Sequence, residues 1–227
     1  MELTSLRVAL DGPSGAGKST IAKAIAAKTG LVYVDTGALY RTVGLYMAEH
    51  GIPMDDADGI VAALPEVEID MSCRDGEQIT TLCGEPVGNR IRTERASAYA
   101  SAVSRIPAVR AFLLDLQRKT AERGGVIMDG RDIGTVIMPD AEVKVFMTAS
   151  PEERARRRYK EQIEKGLDVT YEEVLENILT RDKNDSERET APMKPAEDAV
   201  QFVNDGYGIE ESADYIIELM KKAAERA

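Results

Sequence analysis

The chain has 227 residues, with 29 Lys and Arg against 40 Asp and Glu and a formal net charge of −11. That length allows one sizeable α/β core with a small appendage, and the acidic balance disfavours nucleic acid or an anionic membrane surface as the main partner. No run approaches ~18 apolar residues and the start, Met1-Glu2-Leu3-Thr4-Ser5, lacks the features of a signal peptide, so a cytoplasmic protein with Cys73 and Cys83 reduced is expected.

Residues 6–10 read as a buried strand, and the next stretch, Gly12-Pro13-Ser14-Gly15-Ala16-Gly17-Lys18-Ser19, fits G-x-x-x-x-G-K-[ST] at every fixed position. Glycines let such a loop turn its N–H groups toward a polyphosphate, Lys18 can reach the β and γ phosphates, and the Ser19 hydroxyl can ligate Mg²⁺. A helix over 19–28 adds the partial positive charge of its N-terminus, and Thr20 joins the donor-binding set there.

A second strand over 31–34 ends at Asp35-Thr36-Gly37. A helix over 38–49 follows, its period carried by Leu39, Val43, Tyr46 and Met47, with His50 solvated at its end before Gly51 and Pro53. From 65 to 95 the rhythm changes. Val67, Ile69, Met71 and Cys73 alternate, Asp75-Gly76 signals a tight turn, and Ile79, Thr81 and Cys83 alternate again, which predicts a hairpin with a third short strand near Val87. In such a hairpin the two cysteines could face each other.

Residues 96–122 read as one helix bent near Pro107. The run 126–128 is a strand leading into Asp129-Gly130-Arg131-Asp132, and 143–147 is another. Two helices follow, each opened by a capping box, Ser150 with Glu153 and Thr170 with Glu173. A last strand over 200–203 and an amphipathic helix over 209–224 complete an alternation that predicts a parallel sheet covered by helices.

The polar residues at the strand ends carry the chemistry. Asp129 can reach a metal from its strand end, or serve there as a turn former. In 174–188 the apolar stripe of Val174 and Ile178 continues at helical spacing into Arg181, Asp185 and Arg188, which favours a ligand-facing role over a surface salt-bridge ladder. Arg154, Arg157 and Arg158 share a helix face, either solvated and paired with Glu152, Glu153 and Glu161, or part of a lid that brings arginines to a transferring phosphate.

Asp35-Thr36-Gly37-Ala38-Leu39-Tyr40-Arg41, Asp129-Gly130-Arg131-Asp132-Ile133-Gly134-Thr135-Val136 and Arg181-Asp182 with Asp185 and Arg188 together resemble the bacterial cytidylate kinase family, in order and over essentially the whole chain. The resemblance implies a P-loop kinase core over 1–64 and 96–227, with a lid near 150–168 and a β-containing insertion over 65–95 on the monophosphate side. It implies transfer of the γ-phosphoryl of ATP to CMP or dCMP with Mg²⁺ held by Ser19 and Asp129, in a monomer. The same resemblance places Tyr40, Arg41, Arg131 and Arg188 near the acceptor phosphate, Thr36, Ser101, Arg110 and Asp132 near the cytosine, and Arg181 and Asp185 on the phosphate and ribose side. Lys18, Arg131, Arg181 and Arg188 form the implied catalytic set, and residues 12–20 with Arg157 and Arg158 the donor set. Thr36 stands where the family often has Ser. A small-metabolite kinase of the shikimate type and a non-catalytic nucleotide-binding switch are the alternatives.

Overall fold

A computed structural model describes residues 1–74 and 77–226. The main sheet has five parallel strands: β1 (Arg7–Asp11), β2 (Val32–Asp35), β6 (Val126–Gly130), β7 (Val143–Thr148) and β8 (Val200–Val203), in the order β2-β6-β1-β7-β8. Successive residues of a strand face opposite sides. On β1, Ala9 therefore joins the core under α2 (Thr36–Glu49) and α5 (Pro107–Glu122), while Val8 and Leu10 join the core under α1 (Lys18–Thr29) and α8 (Ile209–Arg226). Both faces being covered, the middles of the inner strands are apolar, apart from Lys144 in β7, which is why they were readable as hydrophobic runs.

Parallel pairing puts all the strand ends on one edge. Leu10 lies opposite Asp129 and Val145, and Asp35 lies opposite Asp129. The loops after β1, β2 and β6 therefore converge where ligands of open α/β sheets bind.

A separate antiparallel sheet contains β3 (Ile69–Arg74), β4 (Glu77–Leu82) and the short β5 (Glu85–Pro86). Asp75-Gly76, the expected turn, lies outside the described residues. The third strand falls at Glu85–Pro86, and Val87 beyond it is buried. The two cysteines do not face each other. Cys73 is opposite Gln78, whereas Cys83 lies past the end of β4 with φ 49°, and both are exposed free thiols.

Several elements differ from the sequence reading. The segment 96–122 is two helices, α4 (Glu94–Val103) and α5, because Pro107 takes the first helical position of a new helix instead of bending an old one. A short helix α3 (Ala57–Ala63), capped by Asp56, was not anticipated. Helix α6 (Pro151–Glu164) has half a capping box. The Ser150 hydroxyl accepts from the Glu153 N–H, but the Glu153 carboxylate turns to Arg156 and Arg157, and the Ser150 N–H donates to Asp205 at 3.0 Å. The full box is present at Thr170, at the head of α7 (Tyr171–Glu187).

Candidate active site

The loop after β1 owes its shape to backbone freedom. Gly12 has φ 143°, and a Cβ there would sit 1.9 Å from the Met147 carbonyl oxygen, so only glycine fits. Gly17 at φ 88° hands the chain to α1. Three carbonyls of the loop accept from side chains: Lys18 Nζ donates to Pro13 O at 2.7 Å, Arg154 Nη1 to Ser14 O at 3.1 Å, and Asn204 Nδ2 to Ala16 O at 3.0 Å. Burial, reinforced by the Arg131 charge, pushes the Lys18 ammonium down to about 7.

Beside the loop, the Ser19 hydroxyl donates to Asp129 Oδ2 at 2.7 Å and the Tyr33 hydroxyl to Oδ1 at 3.0 Å. Burial, and then the nearby Asp35, raises the Asp129 carboxyl above its ordinary range. One carboxylate and one hydroxyl at a helix N-terminus fit Mg²⁺, which takes oxygen ligands, commonly with one or two carboxylates and the substrate phosphates. No cluster of three His, Cys, Asp or Glu side chains that could hold a metal occurs among the described residues.

Across the cleft the charges are arginines held by aspartates. Asp35 caps α2 by accepting from the Ala38 N–H at 3.0 Å, and its other oxygen pairs with Arg41 at 2.6 Å. Arg131 pairs with Asp185 at 2.8 Å. Asp132, 6% exposed, pairs with Arg110 on one oxygen and with Arg188 on the other at 3.1 Å. The Arg110 guanidinium also lies 5.5 Å from the centre of the Tyr40 ring. Thr36 donates to the Asp129 carbonyl at 2.8 Å. Arg181 differs from these, since among the described residues it makes no ion pair, and burial together with the Arg131 charge lowers it to about 10.

One cavity of about 1190 Å³ takes in both halves. Ser14, Gly15, Gly17, Lys18, Ser19 and Thr20 line one end, while Thr36, Tyr40, Arg41, Ser101, Arg110, Asp132 and Arg188 line the other. Asp129, Arg131, Arg181, Asp185, Arg157 and Arg158 line it as well. Gly12, Pro13 and Ala16 do not line it, and serve by shaping the loop.

The arginines of α6 divide between the two readings of the helix face, with only the Arg157–Glu153 pair matching the solvated one. Arg154 is 3% exposed and tied to Asp182 of α7 at 2.6 Å, so it is neither solvated nor free to move to a phosphate. Arg157 pairs with Glu153 at 3.1 Å, and Arg158 reaches Glu94 of α4 at 2.8 Å; neither pairs with Glu152 or Glu161.

Sequence reasoning missed Asp11. Its two oxygens each accept a backbone N–H at 2.7 Å, from Ile133 and Gly134, which fixes the turn following Asp132. The one available signal was a carboxylate placed directly before Gly12 at the end of a buried strand. Tyr33 and Asn204 were missed for want of any motif.

The family model for cytidylate kinase matches residues 8–222. The cytidylate kinase of Caldicellulosiruptor bescii is 46% identical over 220 residues, covering 97% of each chain. That of Bacillus licheniformis is 44% identical over 222 residues, covering 97% of this chain and 98% of the relative, and that of Thermosipho melanesiensis is 46% identical over 216 residues, covering 95% and 97%. Among solved structures, an uncharacterized protein from Eubacterium ventriosum superposes with a TM-score of 0.52 at 13% identity, over 96% of this chain and 99% of that one, a likeness of fold alone. With a phosphate loop facing an arginine-lined cavity, and with relatives matched over nearly its whole length, the chain belongs to the cytidylate kinase family.

Proposed function

We propose that the protein transfers the γ-phosphoryl group of ATP to CMP or dCMP, releasing ADP and the pyrimidine diphosphate. Membership of the family makes it an ATP-dependent kinase. The observation that carries the acceptor reading is Arg181, a half-buried guanidinium without a carboxylate partner among the described residues, lining the same cavity as Arg131 and Arg188. A cationic site of this kind suits a phosphate acceptor.

The chemistry asks little of a base. A phosphate monoester has its second pKa near ~6, so the attacking oxygen is already ionised at neutral pH. Catalysis then reduces to positioning and neutralising charge. Lys18 neutralises the β and γ phosphates, and Arg131, Arg181 and Arg188 hold the acceptor phosphate in line with them. Mg²⁺, held by Ser19 and Asp129, would draw charge from the β and γ oxygens. Arg157 and Arg158 bring α6 over the donor phosphates, and its closure excludes water, the competing nucleophile.

Base choice follows from donor and acceptor patterns. Cytosine presents an N4 amino group that the Asp132 carboxylate accepts, whereas uracil presents a carbonyl oxygen there. Arg110 supplies donors to the ring acceptors beside it, Thr36 and Ser101 add hydroxyls, Tyr40 and Arg41 stand at the phosphate, and Asp185 accepts from the ribose. The small sheet, within the segment 65–95, stands on this acceptor side. A shikimate-type kinase would need a free carboxylate as base. The acceptor-side carboxylates Asp35, Asp132 and Asp185 are all engaged by arginines, which disfavours it. The protein is taken to act as a monomer in the cytoplasm; no described helix is long and apolar enough to cross a membrane.

A coupled ADP-release assay across CMP, dCMP, UMP, AMP and GMP tests the proposal. Fastest turnover with CMP or dCMP is expected, and fastest turnover with AMP or GMP overturns it. Calorimetry showing ATP binding but no affinity for any monophosphate would favour the nucleotide switch instead.

A further inference from the structure

β2 is an edge strand, so one side of its backbone has no strand beside it. That open side is met by a side chain of the small sheet. The Asp35 N–H donates to Gln78 Oε1 at 2.7 Å, and Gln78 Nε2 donates back to the Asp35 carbonyl at 3.3 Å. In an extended strand the N–H and C=O of one residue point the same way, and a primary amide has the same donor and acceptor as a peptide unit. Gln78 therefore pairs with the exposed edge as one rung of a further strand would. Its second amide hydrogen goes to Thr80 Oγ1 at 3.0 Å, which fixes the amide plane from within β4.

The residue so held is one of the three aspartates that hold acceptor-side arginines. Asp35 caps α2 through the Ala38 N–H and pairs with Arg41 at 2.6 Å. Gly37 leaves room for this fold-back, since a Cβ there would lie 3.0 Å from Arg41 Nη1 and 3.1 Å from Asp35 Oδ1. Gln78 does not itself line the cavity.

We infer that Gln78 is a positioning residue for the acceptor phosphate: its amide locks the small sheet to Asp35, and through the Asp35 carboxylate it sets where Arg41 presents its guanidinium. The inference rests on the proposed role of Arg41 at the acceptor phosphate. It assigns the small sheet a defined mechanical task, holding the acceptor side from outside the cavity while leaving the donor loop untouched.

Gln78→Met keeps the length of the side chain and removes both hydrogen-bonding atoms, and Gln78→Ala serves as a second variant. Steady-state kinetics are run on wild type and both variants, with the monophosphate that wild type turns over fastest. Loss of the two hydrogen bonds to Asp35, along with the one to Thr80, is expected to raise KM for the monophosphate about tenfold, with KM for ATP changed less than about twofold and monophosphate Kd by calorimetry rising in parallel. Equal changes in both KM values, or none, overturn the inference, as does failure of both variants to fold, which would make the contact one of stability. A wild type preferring another base overturns the CMP reading while the acceptor-to-donor split still decides Gln78. Absence of turnover with every monophosphate overturns both.

Discussion

Asp11 closes β1 and Asp132 follows β6, and the partners of the two buried carboxylates differ. Asp132 is compensated by two guanidinium groups, so its carboxylate is available to read an amino group. Asp132→Asn keeps one acceptor and adds an amide donor suited to a carbonyl oxygen. The ratio of kcat/KM for CMP to that for UMP should fall by tenfold or more in that variant, on the ~1–3 kcal/mol that separates a matched from a mismatched base edge. An unchanged ratio would remove Asp132 from base recognition. Asp11 has no cationic partner in contact; burial outweighs its two N–H donors and pushes its carboxyl from 3.8 up to about 6. A carboxyl raised by folding binds its proton more tightly in the native chain. Its contribution to stability is therefore complete below its ordinary value and is lost as the pH rises through about 6. Over that window the loss amounts to about 3 kcal/mol, at ~1.4 kcal/mol for each tenfold in proton affinity. Urea unfolding of wild type and Asp11→Asn between these pH values should show wild type falling relative to the variant, and parallel curves would contradict the assignment.

At the level of elements, the legible parts were those whose signal is local. β1, α1, β6 and β7 follow from apolar runs and glycine punctuation within a few residues, and Thr170 with Glu173 marked the head of α7. Pro107 was misread because a proline marks a helix start as readily as a bend, and only the packing around α4 and α5 separates the two. The half-made box at Ser150 failed because Glu153 had arginines three and four residues on to pair with. What no local pattern shows is Arg154, whose partners Ser14 and Asp182 come from the phosphate loop and from α7. Removing it strips a part-buried ion pair, whose Asp182 is 21% exposed, of one member, which costs up to about 3 kcal/mol. Arg154→Ala should lower the melting midpoint and raise KM for ATP, and Arg154→Lys should recover little, since one ammonium cannot make the paired bonds of the guanidinium fork. A variant with wild-type melting and KM would show α6 to be independent of the loop.

For the whole molecule the sign of charge is the paradox, since a chain of net charge −11 takes up polyanions. The cleft is lined by eleven Lys and Arg against seven Asp and Glu, a local excess of positive charge, and long-range repulsion from the rest of the chain is screened within a Debye length, about 10 Å at 0.1 M salt. Contacts inside the cleft are screened less than its mouth. Raising the salt to about 0.5 M is therefore expected to increase KM for CMP several-fold while leaving kcat nearly constant. A fall in kcat at unchanged KM would place the sensitive charges at the reacting atoms. The three side chains that hold the phosphate-loop carbonyls by hydrogen bonds have a consequence for biosynthesis. Lys18 lies beside the loop, but Arg154 joins it from 140 residues along the chain and Asn204 from 188. A ribosome-bound chain acquires the glycine-rich motif with its first twenty residues, yet its carbonyls are not all held until β8 and the Asn204 that follows it have emerged and docked. Nascent chains and C-terminally shortened fragments thus carry the signature without the finished anion hole, and the capacity to take up nucleotide becomes a late marker of completed folding.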